Sequence, residues 1–164
     1  MRRIETQFGV YIVLAFVLGL AFPLAHAQFQ APNSAGASSI PLDSVIQPQE
    51  LNALLQKPGH KPRLILQVGS HLLFAEAHIP GSEYAGPGSQ PAGQQILRTR
   101  VASLPKNDLI VLYCGCCPWQ RCPNVGPAYR LLHDMGFTNV RVVYMAGNFG
   151  DDWVAKGFPV EKGR

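Results

Sequence analysis

Leu109 to Tyr113 (LIVLY) is an almost unbroken apolar run, and all four cysteines of the chain follow it within nine residues, from Cys114 to Cys122. Successive side chains of a strand point to opposite faces, so a strand that is apolar throughout must be covered on both. That environment belongs to a parallel sheet layered between helices. Arg63 to Val68 (RLILQV) repeats the pattern. Helical segments separate the strands, which makes the chain α/β with a mostly parallel sheet. Val45-Ile46, Ser82–Ala85 and Val140–Tyr144 are the further strand candidates. The helices fall at Pro48–Gln56, with proline in the first turn, then at His71–Ala77 and Pro91–Leu104. Two more follow at Pro127–Met135 and Asp151–Lys156. In the third, Ile96, Leu97, Val101 and Leu104 are expected to face inward.

The start of the chain has a different character. Arg2 and Arg3 precede a 16-residue apolar run, Gly9–Leu24, and Ala25-His26-Ala27 then offers a small-x-small cleavage site. The run is shorter than the ~20 residues that span a bilayer, so residues 1–27 read as a cleaved signal peptide and leave no membrane anchor. Residues 28–42, rich in Ala, Ser, Pro and Gly, read as a flexible linker, and 43–164 as one domain. A periplasmic or secreted location follows. The 164 residues are 47% hydrophobic and 15% charged, which excludes a wholly disordered chain. The net charge of +4 is scattered rather than gathered into a stripe, which argues against nucleic acid as a partner. Nothing points to an oligomer interface, and the chain is expected to be a monomer.

Four cysteines in one loop are a poor disulfide framework, because short closed loops stabilise least. They are better placed as a site. The loop, YCGCCPWQRCPN, lies at the carboxyl end of a strand, where open α/β sheets bind ligands, and it leads into a helix. Loop amides, the helix dipole and Arg121 all favour an anion and a thiolate there. A thiolate at neutral pH is a nucleophile.

From about residue 45 to 162 the chain resembles a single-domain rhodanese. The resemblance rests on LILQVGSHLLFAEAHIPGS, on LIVLYC, and on LLHDMGFTNVRVVYMAG followed by DDWVAKGFPVE. It implies a three-layer αβα fold around a five-stranded sheet. It also implies sulfur transfer through a cysteine persulfide, with a small sulfur-containing anion as donor, a thiol as acceptor, and no metal or organic cofactor. Cys114, the first residue after the strand, matches the family nucleophile by position. The family also places a basic or hydroxyl residue five positions after the nucleophile, and counting back from Arg121 reaches Cys116. Cys114 is taken as the nucleophile, with Cys116 or Cys117 resolving the persulfide. Arg121, Trp119 and Gly115 are the substrate-binding candidates, and Cys122 is a further resolving or structural thiol. Three features depart from the family: Gln67 and Gly69 stand where it has an Asp and an Arg, the loop is longer, and it carries three additional cysteines.

Other chemistries suit the same residues. Cys114-Gly115-Cys116-Cys117 contains a Cys-x-x-Cys, the spacing of a dithiol oxidoreductase. Cys117 and Cys122 are a second pairing. A thiolate cluster also suits zinc or Cu(I). His78 reads as a turn-fixing residue rather than a base. Trp153 and Phe158 read as core, and Asp151 and Asp152 as helix caps.

Overall fold

Alternation along the central strands sorts the core into two layers. The computed structural model describes residues 37–163, so the expected signal peptide and residues 28–36 lie outside the described residues. Strand β4 (Ile110–Tyr113) is buried at every position, as is β2 (Leu64–Gln67). Leu64, Leu66, Ile110 and Leu112 join one apolar cluster, with Leu97 and Val101 of α3 (Pro91–Val101) and Leu131 and Leu132 of α4 (Val125–Asp134). Ile65, Val111 and Tyr113 join the other. Their partners there are Leu51 of α1 (Pro48–Gln56), Phe149 of α5 (Phe149–Asp152) and Trp153. The sheet is therefore sandwiched between helices, and each central strand serves both layers through its two-residue period.

Five strands pair in the order β1-β5-β4-β2-β3, every pairing parallel. Here β1 is Val45–Ile46, β3 is Glu83–Tyr84 and β5 is Val140–Val143. The chain runs outward from β2 to β3 on one side and from β4 to β5 on the other. The β2–β4 boundary is thus where strand order reverses, and a crevice opens there beyond the strand ends. Helix α2 (His71–Glu76) follows β2 and flanks that crevice.

Three expectations need correction. The expected linker, 28–42, overlaps ordered chain. Ala37–Ser39 forms a 3-10 turn packed against α4, and Ala37 and Ile40 are buried in the first cluster. Both are apolar and three residues apart, a signal masked by the surrounding Ser and Gly. Ile96 is exposed rather than inward; Gly93, Leu97 and Val101, spaced four apart, set the buried face of α3. Helix α4 begins at Val125, with Pro127 third in its first turn, where a missing N–H has no intrahelical partner to lose.

His78 fixes its turn as expected. Its Nδ1 lies 2.8 Å from the Phe74 carbonyl and its ring stacks on Phe74, while its backbone pairs with Glu161 of the C-terminal tail. Trp153 is fully buried and donates through Nε1 to the Pro159 carbonyl at 2.8 Å. The last helix is capped by the Asn148 side chain, which accepts from Asp151 N–H, whereas Asp152 reaches back to the Gly147 N–H. Among the described residues no helix is long and apolar enough to cross a membrane.

Candidate active site

Strand alternation decides where the first cysteine points. Cys114 follows Ile110 and Leu112 at the two-residue period, so its side chain enters the same layer as α4 and joins that apolar cluster. Gly115 then turns the chain with φ +75, a left-handed conformation that favours glycine. A Cβ at Gly115 would also lie 2.6 Å from the Cβ of Phe149. The Gly115 carbonyl accepts the Phe149 N–H at 3.0 Å, tying the loop to the start of α5.

Beyond that turn the sulfurs converge. Cys114 Sγ and Cys116 Sγ are 3.1 Å apart, and Cys116 Sγ and Cys117 Sγ 2.9 Å. The ligand atoms of Cys114, Cys116 and Cys122 all lie within 4.8 Å of one another. All four are free thiols; Cys114 and Cys122 are buried, Cys117 is half-buried and Cys116 is exposed.

Sulfurs this close cannot all ionise, because each like charge opposes the next. One site takes the charge. Hydrogen bonds from Cys114 first, then from Cys122 and Cys117, hold the Cys116 thiol far below the usual range, against the opposing effect of burial. The hydrogen bond it gives Cys116, a second with Cys122 and burial push Cys114 far up. Burial, and then the hydrogen bond to Cys116, push Cys117 up as well. Cys122 is pulled down by Cys114 but pushed up more by Cys116 and burial, even though the Val125 and Asn124 amides face it at the start of α4. The exposed Cys116 is therefore the thiolate of the group.

Residues without an obvious signature hold the cluster in place. Gln67, fully buried at the end of β2, donates through Nε2 to the Cys114 carbonyl at 3.1 Å. Its Oε1 accepts the Gly69 N–H at 3.1 Å. A neutral amide thus bridges the two strand ends where the resemblance leads one to look for a charge pair. At Gly69 a Cβ would stand 2.8 Å from Cys114 Sγ, so the missing side chain makes room for the sulfur. Asn124 donates through Nδ2 to Cys114 Sγ at 3.4 Å, and its Oδ1 accepts from the Ser89 hydroxyl and backbone. The contacts of Gln67 and Asn124 span 47 and 10 residues of sequence, and no local pattern marks them.

A cavity of about 330 Å³ opens on these sulfurs. Cys114, Gly115 and Cys116 form one wall, and Leu73, Glu76, Ala77, Phe149 and Val154 form the rest with Gln67, Tyr113, Asn148 and Gly150. No lining residue is cationic. Arg121 is exposed, at the end of the 3-10 turn Trp119–Arg121, and is not part of that lining. Trp119 packs inward: its ring lies 5.2 Å from that of Tyr144 and its backbone N–H donates to the Met145 carbonyl at 2.8 Å. Of the expected site residues, the structure brings Cys114, Gly115 and Cys116 to the cavity and sets Arg121 and Trp119 apart from it.

The sequence model of the rhodanese-like domain matches residues 47–149. The chain belongs to the rhodanese-like domain family. No curated protein matches it. Solved structures share the fold. The BH2092 protein of Bacillus halodurans is 21% identical with a TM-score of 0.57, the match covering 74% of this chain and 78% of that one. The Alr3790 protein of Anabaena sp. is 23% identical with a TM-score of 0.54, covering 72% and 92%. The solution structure of the rhodanese-like domain from the same Anabaena protein is 25% identical with a TM-score of 0.52, covering 73% and 79%. The five-stranded α/β architecture is thus that of rhodanese-like domains, a sulfurtransferase-type family.

Proposed function

We infer that this rhodanese-like domain transfers sulfane sulfur through a persulfide on Cys116. The observation that carries the reading is the least buried of the four cysteines, on the cavity wall, whose charge three neighbouring thiols stabilise. Partly exposed thiolates react, and buried thiols are inert until uncovered. Cys116 therefore replaces Cys114 as the attacking group, and Cys114 becomes its buried neighbour.

The thiolate of Cys116 attacks the outer sulfur of a donor. With thiosulfate the S–S bond breaks, sulfite leaves with the bonding pair, and Cys116–S–S⁻ remains. An external thiolate then attacks that outer sulfur, carries it off as its own persulfide and restores Cys116 as thiolate. A second exit uses Cys114, 3.1 Å away. Its sulfur attacks the inner sulfur, a Cys114–Cys116 disulfide forms, and hydrosulfide departs with the Cys114 proton. That exit oxidises the protein by two electrons and requires a reducing thiol before the next cycle.

The lining favours one donor class. Glu76 and the apolar Leu73, Phe149 and Val154 suit an organic sulfane donor carrying at most one charge better than a dianion. The leader-like residues 1–27 support an exported setting for the reaction. Intact mass spectrometry of the reduced protein tests the reading. One added sulfur, about +32 Da, is expected after exposure to a donor in wild type and in Cys114→Ser, but not in Cys116→Ser. The reading fails if wild type with four titratable thiols gains no mass, or if Cys116→Ser gains as much as wild type.

A further inference from the structure

We propose that Cys114, Cys116 and Cys122 also form a three-sulfur site for a soft monovalent cation, Cu(I). The inference stands on geometry and goes beyond sulfur transfer. Three sulfurs bound in a plane to one metal at about 2.3 Å lie about 4 Å apart. Here the three sulfurs lie within 4.8 Å of one another without a metal, and Cys114 and Cys116 at 3.1 Å need only separate slightly. The site is preformed rather than assembled from a mobile loop. Cys114 is fixed by the end of β4 and Cys122 by the 3-10 turn Trp119–Arg121 that it closes, and both are buried. Cys116 is carried between them by the left-handed turn at Gly115.

The surroundings fit a thiolate-bound cation. Asn124 Nδ2 points at Cys114 Sγ, and the Asn124 and Val125 amides face Cys122 Sγ. Such outer donors orient and stabilise ligating sulfur. No cationic side chain lines the cavity that reaches Cys114 and Cys116, so a bound ion meets no competing positive charge there.

The number of ligands selects the ion. Cys117 does not complete the group: its sulfur touches Cys116 Sγ at 2.9 Å and the Arg121 carbonyl at 3.8 Å, but it does not lie within 4.8 Å of all three of the others. Structural zinc takes four ligands, whereas a soft ion satisfied by three thiolates is Cu(I). On binding, three Cu–S bonds form, each coordinating thiol still protonated gives its proton to the buffer, and no electron moves. Because Cys116 is both ligand and nucleophile, the loaded protein takes up no sulfur.

The experiment uses reduced full-length chain without oxygen. Cu(I) is delivered and competed with a colour-forming Cu(I) chelator, and native mass spectrometry counts the metal. One copper per chain is expected. Cys114→Ser and Cys122→Ser should each weaken binding by more than the ~100-fold that loss of an outer-shell partner costs, while Cys117→Ser keeps the one-to-one stoichiometry. X-ray absorption of the wild-type complex should show three sulfur neighbours, a readout independent of whether any variant folds. Several coppers per chain, two or four sulfur neighbours, or equal loss in Cys117→Ser would overturn the site. Sulfur uptake measured on metal-free protein is a separate mass shift, so failure of either idea leaves the other readable.

Discussion

Replacing Gly115 by alanine should cost far more than the same change at Gly136, although both glycines are left-handed. Gly136 has φ +87, and nothing stands within 4 Å of where its Cβ would lie. Only backbone strain is added there, about 1–2 kcal/mol. Gly115 has φ +75 and carries the same strain, but its Cβ would meet Phe149 Cβ at 2.6 Å, well inside the 3.4–4 Å of ordinary contact. Relieving that overlap requires the loop and α5 to part by nearly 1 Å. Overpacking of this kind adds about 1–3 kcal/mol. The Phe149 N–H bond to the Gly115 carbonyl lies across the same gap and weakens with it. The total for Gly115→Ala is then about 2–5 kcal/mol. With a urea slope of about 2 kcal/mol per molar, its midpoint should fall by roughly 1–2.5 M, against roughly 0.5–1 M for Gly136→Ala. Urea unfolding followed by tryptophan fluorescence measures both. Equal midpoints would refute the argument, because they would mean that Phe149 does not hold the loop.

Gln67→Leu leaves the Cys114 carbonyl and the Gly69 N–H buried without partners and should destabilise by about 2–3 kcal/mol, read as a drop in thermal midpoint. Burial pushes Tyr113 up to about 12, against hydrogen bonds from Ser82 and Ile79. The unfolded chain releases that proton near pH 10 and the folded chain near 12, so the stability it contributes is complete below pH 10 and falls as pH rises between the two. Wild type should therefore lose about 1 kcal/mol more per pH unit in that window than Tyr113→Phe, and parallel profiles in chemical unfolding would contradict this. Glu76→Gln removes an exposed carboxylate from the cavity rim and should speed sulfur uptake from thiosulfate about threefold at low salt, with little change for an uncharged donor. An equal change for both donors would remove the electrostatic explanation.

The two apolar runs are legible as central strands because burial on both faces leaves no room for polar residues, except at Gln67, where the buried amide has work at the site. Prolines at 48 and 91 mark helix starts, whereas Pro127 misleads by two residues, since any first-turn position tolerates it. The cysteine cluster is visible at once as a site. Its internal order is not. That Cys114 points into the core and Cys116 outward depends on strand alternation running into a left-handed turn. The roles of Gln67, Gly69 and Asn124 depend on neighbours brought together only by the sheet. Arg121 shows the opposite case: a charge near the cysteines in sequence that lies outside the cavity lining.

Burial sets the four thiols on different clocks. Cys116, the exposed thiolate, meets an alkylating reagent as soon as it is added, and Cys117, half-buried and held as a thiol, follows. Cys114 and Cys122 are each 3% exposed and sit among Leu112, Val125 and Leu132 at the end of the central strand. Cys114 still borders the cavity, but Cys122 lies outside its lining and can be labelled only when the chain around it opens, which in a small domain approaches global opening. The slow phase of labelling therefore reports the population of opened protein whenever reclosing outpaces reaction. The loop proposed to carry sulfur is thus also a built-in gauge of the domain's own stability, readable by mass without any added probe.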